Sequence, residues 1–192
     1  MRTLLICIIL FLANDLNGQS FSRSKTGSLI DEKVSIILRD NQSDKVLVYQ
    51  WGCFGCRSSE KCKCIDEVVT SYVIWNVNSK LKVLRIDCCN NYESFFLKSD
   101  RIWKQLIENE VKIFDSDFKG NSLRTHYFFD NMRLVSDERV LIMNTYDYYF
   151  EHGVKYFKGD KGNSYRKQNL RQPAKHFVDK LKNELKTLSK KE

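Results

Sequence analysis

The residues of this chain best suited to covalent chemistry are its cysteines. Six of the seven, Cys53, Cys56, Cys62, Cys64, Cys88 and Cys89, fall between positions 53 and 89. Cys53-Phe54-Gly55-Cys56 is a C-x-x-C pair, a spacing at which two sulfurs close a small disulfide with little rearrangement. At a helix N-terminus, unpaired amides and the positive end of the dipole would favour thiolate at Cys53. Thiol–disulfide exchange needs that thiolate as attacker, and Cys56 as the neighbour that resolves the mixed disulfide. Two other chemistries remain open. The cysteines could be structural staples, with Cys62, Cys64, Cys88 and Cys89 as disulfide candidates. Cys53, Cys56, Cys62 and Cys64 also have the thiolate count of a zinc or copper(I) site. Their C-x2-C-x5-C-x-C spacing is not the usual pair-and-pair arrangement, so no metal ligand is assigned.

Which chemistry applies depends on the compartment. Arg2 is followed by Thr3 and the apolar run Leu4 to Ala13, then by polar residues to Gly18. Ten apolar residues fall short of the ~20 that span a bilayer as a helix, so residues 1–18 read as a cleaved secretory signal carrying Cys7 away. The mature chain is then expected to be extracytoplasmic, periplasmic or secreted, with an even cysteine number in an oxidising environment.

Composition sets the remaining bounds. Of 192 residues, 42% are hydrophobic and only one is proline, enough apolar content for one compact core. The formal charge is +8, and it is local: residues 155–192 hold twelve Lys and Arg against four Asp and Glu. Residues 19–154 are neutral, which argues against a nucleic-acid surface, since that needs a basic stripe across the folded domain. No Gly-rich phosphate loop, nucleophile elbow or paired-carboxylate pattern is present.

The elements that must position the cysteines follow from apolar spacing. Val34 to Leu38 reads as a strand, Asp40 to Asp44 as a turn, and Lys45 to Gln50 as a buried strand running into Trp51 and the cysteine pair. Ser58 and Ser59 are candidate N-caps for a helix with Ile65, Val68, Val69, Tyr72 and Val73 on one face. Leu81 to Asp87 reads as the next strand, and Tyr92, Phe95, Phe96, Ile102, Trp103, Leu106 and Ile107 as a helical stripe. Strands are expected at Val111–Phe114, Thr125–Phe129 and Val140–Met143, with a reversal at Asp130-Asn131. Pro173 suits a helix's first turn, and Ala174, Phe177, Leu181, Leu185 and Leu188 form an amphipathic stripe behind it. This order is that of an α/β sandwich with a mixed central sheet flanked by helices. The expected organisation is a signal at 1–18, one domain at 19–154, and a basic segment at 155–192 ending in the amphipathic helix.

Val46-Leu47-Val48-Tyr49-Gln50-Trp51 before the pair, Lys82 to Asp87, Val111 to Phe114 and Thr125 to Asn131 together resemble the thioredoxin-like superfamily, more narrowly its secreted TlpA-type thiol–disulfide oxidoreductases. The resemblance spans about residues 34–145 and implies a three-layer thioredoxin-like sandwich. It implies catalysis by Cys53 and Cys56 on protein thiols and disulfides, without a bound cofactor. Trp51, Phe54, Arg124 and Thr125 would border the substrate groove. The family's cis-proline has no counterpart, since Leu123-Arg124-Thr125-His126 contains no proline. In such a sheet the strands ending at the pair and at Asp87 are parallel neighbours, which would bring Cys88 and Cys89 near Cys53 and Cys56.

Two functions are thus expected from the sequence. One is disulfide exchange through Cys53 and Cys56. The other is a non-catalytic, disulfide-stapled binding protein that meets a membrane surface or acidic protein through its basic helix and aromatic residues. Among those aromatics are Tyr146, Tyr148, Tyr149, Phe150, Tyr156 and Phe157, which serve equally as packing residues. His126, His152 and His176 lack the spacing of a ligand set; His126 would assist proton transfer only if it lay beside the pair.

Overall fold

The computed structural model describes residues 25–54, 67–87, 92–120, 127–150 and 163–186. It is a mixed α/β fold in three layers. Helix α1 (Lys25–Arg39) precedes strands β1 (Lys45–Phe54), β2 (Glu67–Val77), β3 (Lys80–Asp87) and β4 (Tyr92–Phe96). Helices α2 (Arg101–Glu108) and α3 (Glu110–Phe114), strands β5 (Tyr127–Ser136) and β6 (Val140–Tyr146), and helices α4 (Arg166–Asn169) and α5 (Pro173–Lys186) complete it. The six strands lie in the order β4-β3-β2-β1-β5-β6, every neighbouring pair antiparallel.

The expected mixed sheet is therefore corrected to an all-antiparallel one. The run that keeps helical spacing at Val68, Val69, Tyr72 and Val73 is strand β2, so the strand–helix–strand unit expected after the cysteine pair is replaced by an antiparallel return. Val69, Ser71, Val73 and Trp75 share one face while Thr70, Tyr72 and Ile74 share the other. Valines and aromatics at both periods made helix and strand indistinguishable by spacing alone. The strands ending at Phe54 and Asp87 are not neighbours, because β2 lies between them.

Other elements change identity for similar reasons. Val34–Leu38 belongs to α1, whose Ile30, Val34, Ile37 and Leu38 are buried at i, i+4, i+7 and i+8. Tyr92–Phe96 is an edge strand, and helix begins only at Arg101, with Ile102, Trp103 and Leu106 inward. Val111–Phe114 is helical, turning Ile113 and Phe114 into the core. Asp130 and Asn131 sit inside β5 instead of reversing it.

Local chemistry explains the ends that were legible. Asn41, at φ 50, closes α1: its amide reaches Leu38 O at 3.1 Å and that of Gln42 reaches Ile37 O at 3.0 Å. This is a left-handed cap in which Asn stands where Gly is usual. Asn78 and Ser79, at φ 51 and 63, form the two-residue turn between β2 and β3, a twist matched to antiparallel strands.

The two sheet faces bury separate clusters. Val46, Val48, Val73 and Trp75 pack against α1. Leu47, Tyr49, Ile74, Val83, Met132 and Leu134 pack beneath α2, α3 and α5, whose Leu106, Ile113, Phe177 and Leu181 are buried. Each such α5 side chain contributes about 1.5–3 kcal/mol by leaving water, so this helix is a structural layer of the fold.

Polar ties fix α4 and α5 against the preceding loop. The fully buried Asn169 accepts from the Lys119 amide through Oδ1 (3.1 Å) and donates through Nδ2 to the carbonyls of Lys119 (2.7 Å) and Tyr149 (2.9 Å). At the opposite end of the sheet, Lys45 donates to Glu110 at 2.6 Å, and Arg139 also bonds that carboxylate. The bond from Lys45 is the main reason the Glu110 carboxyl is held below its ordinary 4.5.

Two outcomes are expected. Asn169→Ala should cost about 1–3 kcal/mol, read from urea unfolding midpoints, because the Lys119 amide loses its acceptor while the carbonyls of Lys119 and Tyr149 keep only their bonds from Asn163. Glu110→Gln should lower stability at pH 7. A depressed folded-state pKa contributes in full above 4.5 and is lost as pH falls through the folded value. The gap between the two proteins should therefore narrow as pH falls below 4.5, and a gap independent of pH would contradict the assignment.

Candidate functional site

β1 alternates its side chains between the two layers, and the odd-numbered residues face α5. Leu47 and Tyr49 are covered, whereas Trp51, beside the C-terminal part of the helix, is left 43% exposed. Phe128, on the neighbouring β5 and 49% exposed, stacks with Trp51 at a 6.4 Å centroid distance and 11° between planes. Tyr72 of β2 stacks on Tyr49 at 5.9 Å and 16°. Tyr49, Trp51, Tyr72, Lys182, Leu185 and Lys186 enclose an open cleft of about 200 Å³.

A charged network sets one wall. Lys182 bonds both oxygens of Asp130, at 2.7 and 2.9 Å, and its ammonium lies 5.8 Å from the Trp51 ring centroid. Tyr49 donates its hydroxyl to Asp130 at 2.6 Å. Burial, reinforced by that carboxylate, pushes the Tyr49 phenol far above its ordinary range, so it remains a protonated donor. Asp130 is thus shared between a buried phenol and a half-buried ammonium. That geometry pins α5 to β5 and presents Lys182 to the aromatic face.

The cysteine expectations fare differently. Cys53 lies within β1, opposite Val68 of β2 and Phe128 of β5, and is 4% exposed. It is disulfide-bonded, with its partner outside the described residues. It therefore sits in a doubly paired strand and is shielded from solvent, and residues 55–66, where the helix expected after the pair would begin, lie outside the described residues. Phe54 ends the same strand, opposite Glu67 and Tyr127. Cys56, Cys62, Cys64, Cys88, Cys89, Arg124, Thr125 and His126 lie outside the described residues. Of the expected groove residues, Trp51 is the one placed in a cleft. His176 is on the exposed side of α5.

The residues missed by sequence reasoning are Tyr49, Tyr72, Asp130, Lys182, Leu185 and Lys186. The signals were partial: α5 was legible as a basic amphipathic helix and Trp51 as a candidate contact. Nothing in their spacing says that positions 51 and 182 meet. Among the described residues no helix is long and apolar enough to cross a membrane. Compared with known proteins, the chain matches no family model and no curated sequence.

The Asp130–Lys182 tie is open to a double-mutant cycle. Lys182→Met should cost about 1–3 kcal/mol, since it leaves a nearly buried carboxylate without its cation. Asp130→Asn with Lys182→Met should recover part of that loss, giving a coupling of roughly 1 kcal/mol or more by urea unfolding. A coupling near zero would show that the pair does not hold the helix.

Proposed function

We propose that this chain is a non-catalytic, disulfide-stapled binding protein that works outside the cytoplasm and engages an acidic partner through the cleft between β1, β2 and the C-terminal part of α5. The observation that carries this reading is the exposed Trp51–Phe128 stack beside Lys182. Exposed tryptophan in a concavity, flanked by rigid rings, is the composition of an interaction hot spot and is costly to leave in water without a use. The basic helix supplies the charge. Two of its lysines, one turn apart, line the same cleft.

The buried position of Cys53 supports a staple in preference to an exchange centre. An attacking sulfur must be reached by a substrate disulfide in line, and reactive cysteines are partly exposed in electropositive surroundings. A cysteine only 4% exposed does not offer that access. A bridge at this position also suits an oxidising compartment.

The test is redox equilibration of the native protein in glutathione buffers, with each thiol mapped by mass spectrometry. A staple at Cys53 should resist reduction, with a potential below about −300 mV, while an exchange pair would titrate at roughly −270 to −120 mV. Cys53→Ser should cost about 2–5 kcal/mol of stability, and the intact protein should show no insulin-reductase turnover. Turnover that vanishes in Cys53→Ser at little cost in stability would replace the binding reading with disulfide exchange through Cys53 and Cys56.

A further inference from the structure

The cleft is more specific than a basic patch. Its accessible rings are Tyr72 and Trp51, the first stacked on the buried Tyr49 and the second on Phe128 by its side. The two pairs are each within 16° of coplanar alignment, so the cleft offers flat π faces rather than a rounded aliphatic surface. Lys182 and Lys186 occupy the helix wall, and the described residues that line the cleft include no acid. Asp130 reaches Lys182 from the strand side, fixing the position of an ammonium that has three donors to share. At about 200 Å³ the space is smaller than the ~300–1,000 Å³ that encloses a whole drug-sized molecule. It suits one flat aromatic group of one or two fused rings.

We infer that this cleft binds a planar aromatic ring carrying an acid group, with the ring against Trp51 and the anion between Lys182 and Lys186. The inference rests on the binding-protein reading and names the ligand chemistry of that same surface. The ring matches the flat walls, and the anion matches lysines set one helical turn apart, about 5.4 Å along the axis. Asp130 contributes by positioning: it keeps Lys182 beside Trp51, so that charge and ring are recognised together. Two sources present this same chemistry to the cleft, a free aryl acid and an aromatic residue flanked by acids on a partner protein.

The experiment uses two-dimensional amide and indole NMR of the full-length oxidised protein. The chain has three tryptophans, and Trp75 and Trp103 are buried, which leaves the Trp51 indole as the reporter. The probes are 1-naphthaleneacetate, its uncharged amide, decanoate as an aliphatic acid, and the peptides acetyl-Glu-Tyr-Glu-amide and acetyl-Glu-Ala-Glu-amide. Naphthaleneacetate should shift the Trp51 indole and saturate, with the amide and decanoate each about tenfold weaker or more. Trp51→Leu should abolish the naphthaleneacetate shifts of the backbone amides around the cleft, such as those of Tyr49 and Tyr72. Lys186→Met should weaken the acid while leaving the amide unchanged. The tighter of naphthaleneacetate and the tyrosine peptide identifies the source.

Equal binding of acid and amide, equal binding of decanoate and naphthaleneacetate, or no shift at Trp51 with any ring-bearing probe would overturn the inference. If the alanine peptide binds as well as the tyrosine peptide through the α5 lysines, the inference falls while the binding reading stands. Insulin turnover through Cys53 would remove the binding reading itself.

Discussion

The fold depends on the register of β1, the strand buried on both faces and hydrogen-bonded along both edges. Val46 and Val48 point to α1, while Leu47, Tyr49 and Trp51 point to α5. A slip of one residue would exchange the two sets, moving Trp51 out of its cleft and stranding polar groups in the core. The buried Gln50 amide makes that slip costly, because it donates to the Ser71 hydroxyl of β2 at 3.1 Å in the interior. A buried polar pair contributes little net energy when made, yet leaving either member unpaired costs about 1–3 kcal/mol. The pair therefore specifies alignment more than it adds stability.

The second layer inherits that alignment. α5 buries Ala174, Phe177, Val178, Leu181 and Leu185 on the face of the sheet that displays Tyr49 and Met132. Apolar burial holds the helix down without fixing its rotation or translation, because hydrophobic contact is non-directional. Directional bonds supply the rest: Lys182 to Asp130 at one end, and near the other Asn169 with Lys119 and Tyr149, and Gln172 with Asp117 O at 3.0 Å. Gly120 shows how tightly the adjoining loop is seated, since a Cβ there would fall 2.9 Å from both Tyr149 and Asn163.

Function follows from where this packing stops. The helix buries Tyr49 but leaves Trp51, beside Lys182 of its C-terminal part, and Phe128 partly open to solvent. The same strand carries Cys53 two residues further on, paired on both edges and 4% exposed. One face of β1 thus carries both an exposed aromatic pair and an enclosed cysteine.

Much of the architecture was legible in the sequence, and the limits were physical. β1, β3 and the amphipathic α5 were readable because each shows one dominant periodicity with clear punctuation, such as Asp40–Asp44 and Pro173. β2 and α3 were misread, because short runs rich in valine, isoleucine and aromatics satisfy both periods, and their sheet partners decide which is realised. The sequence by itself determined that Trp51 follows a buried strand, that the basic charge gathers in the last helix, and that residues 19–154 are neutral. Only the tertiary structure decided that Lys182 stands over Trp51, that Asp130 belongs inside a strand, and that Cys53 is enclosed. Those contacts join positions far apart in the chain through an antiparallel register, and register is a property of paired strands, not of any one segment read alone.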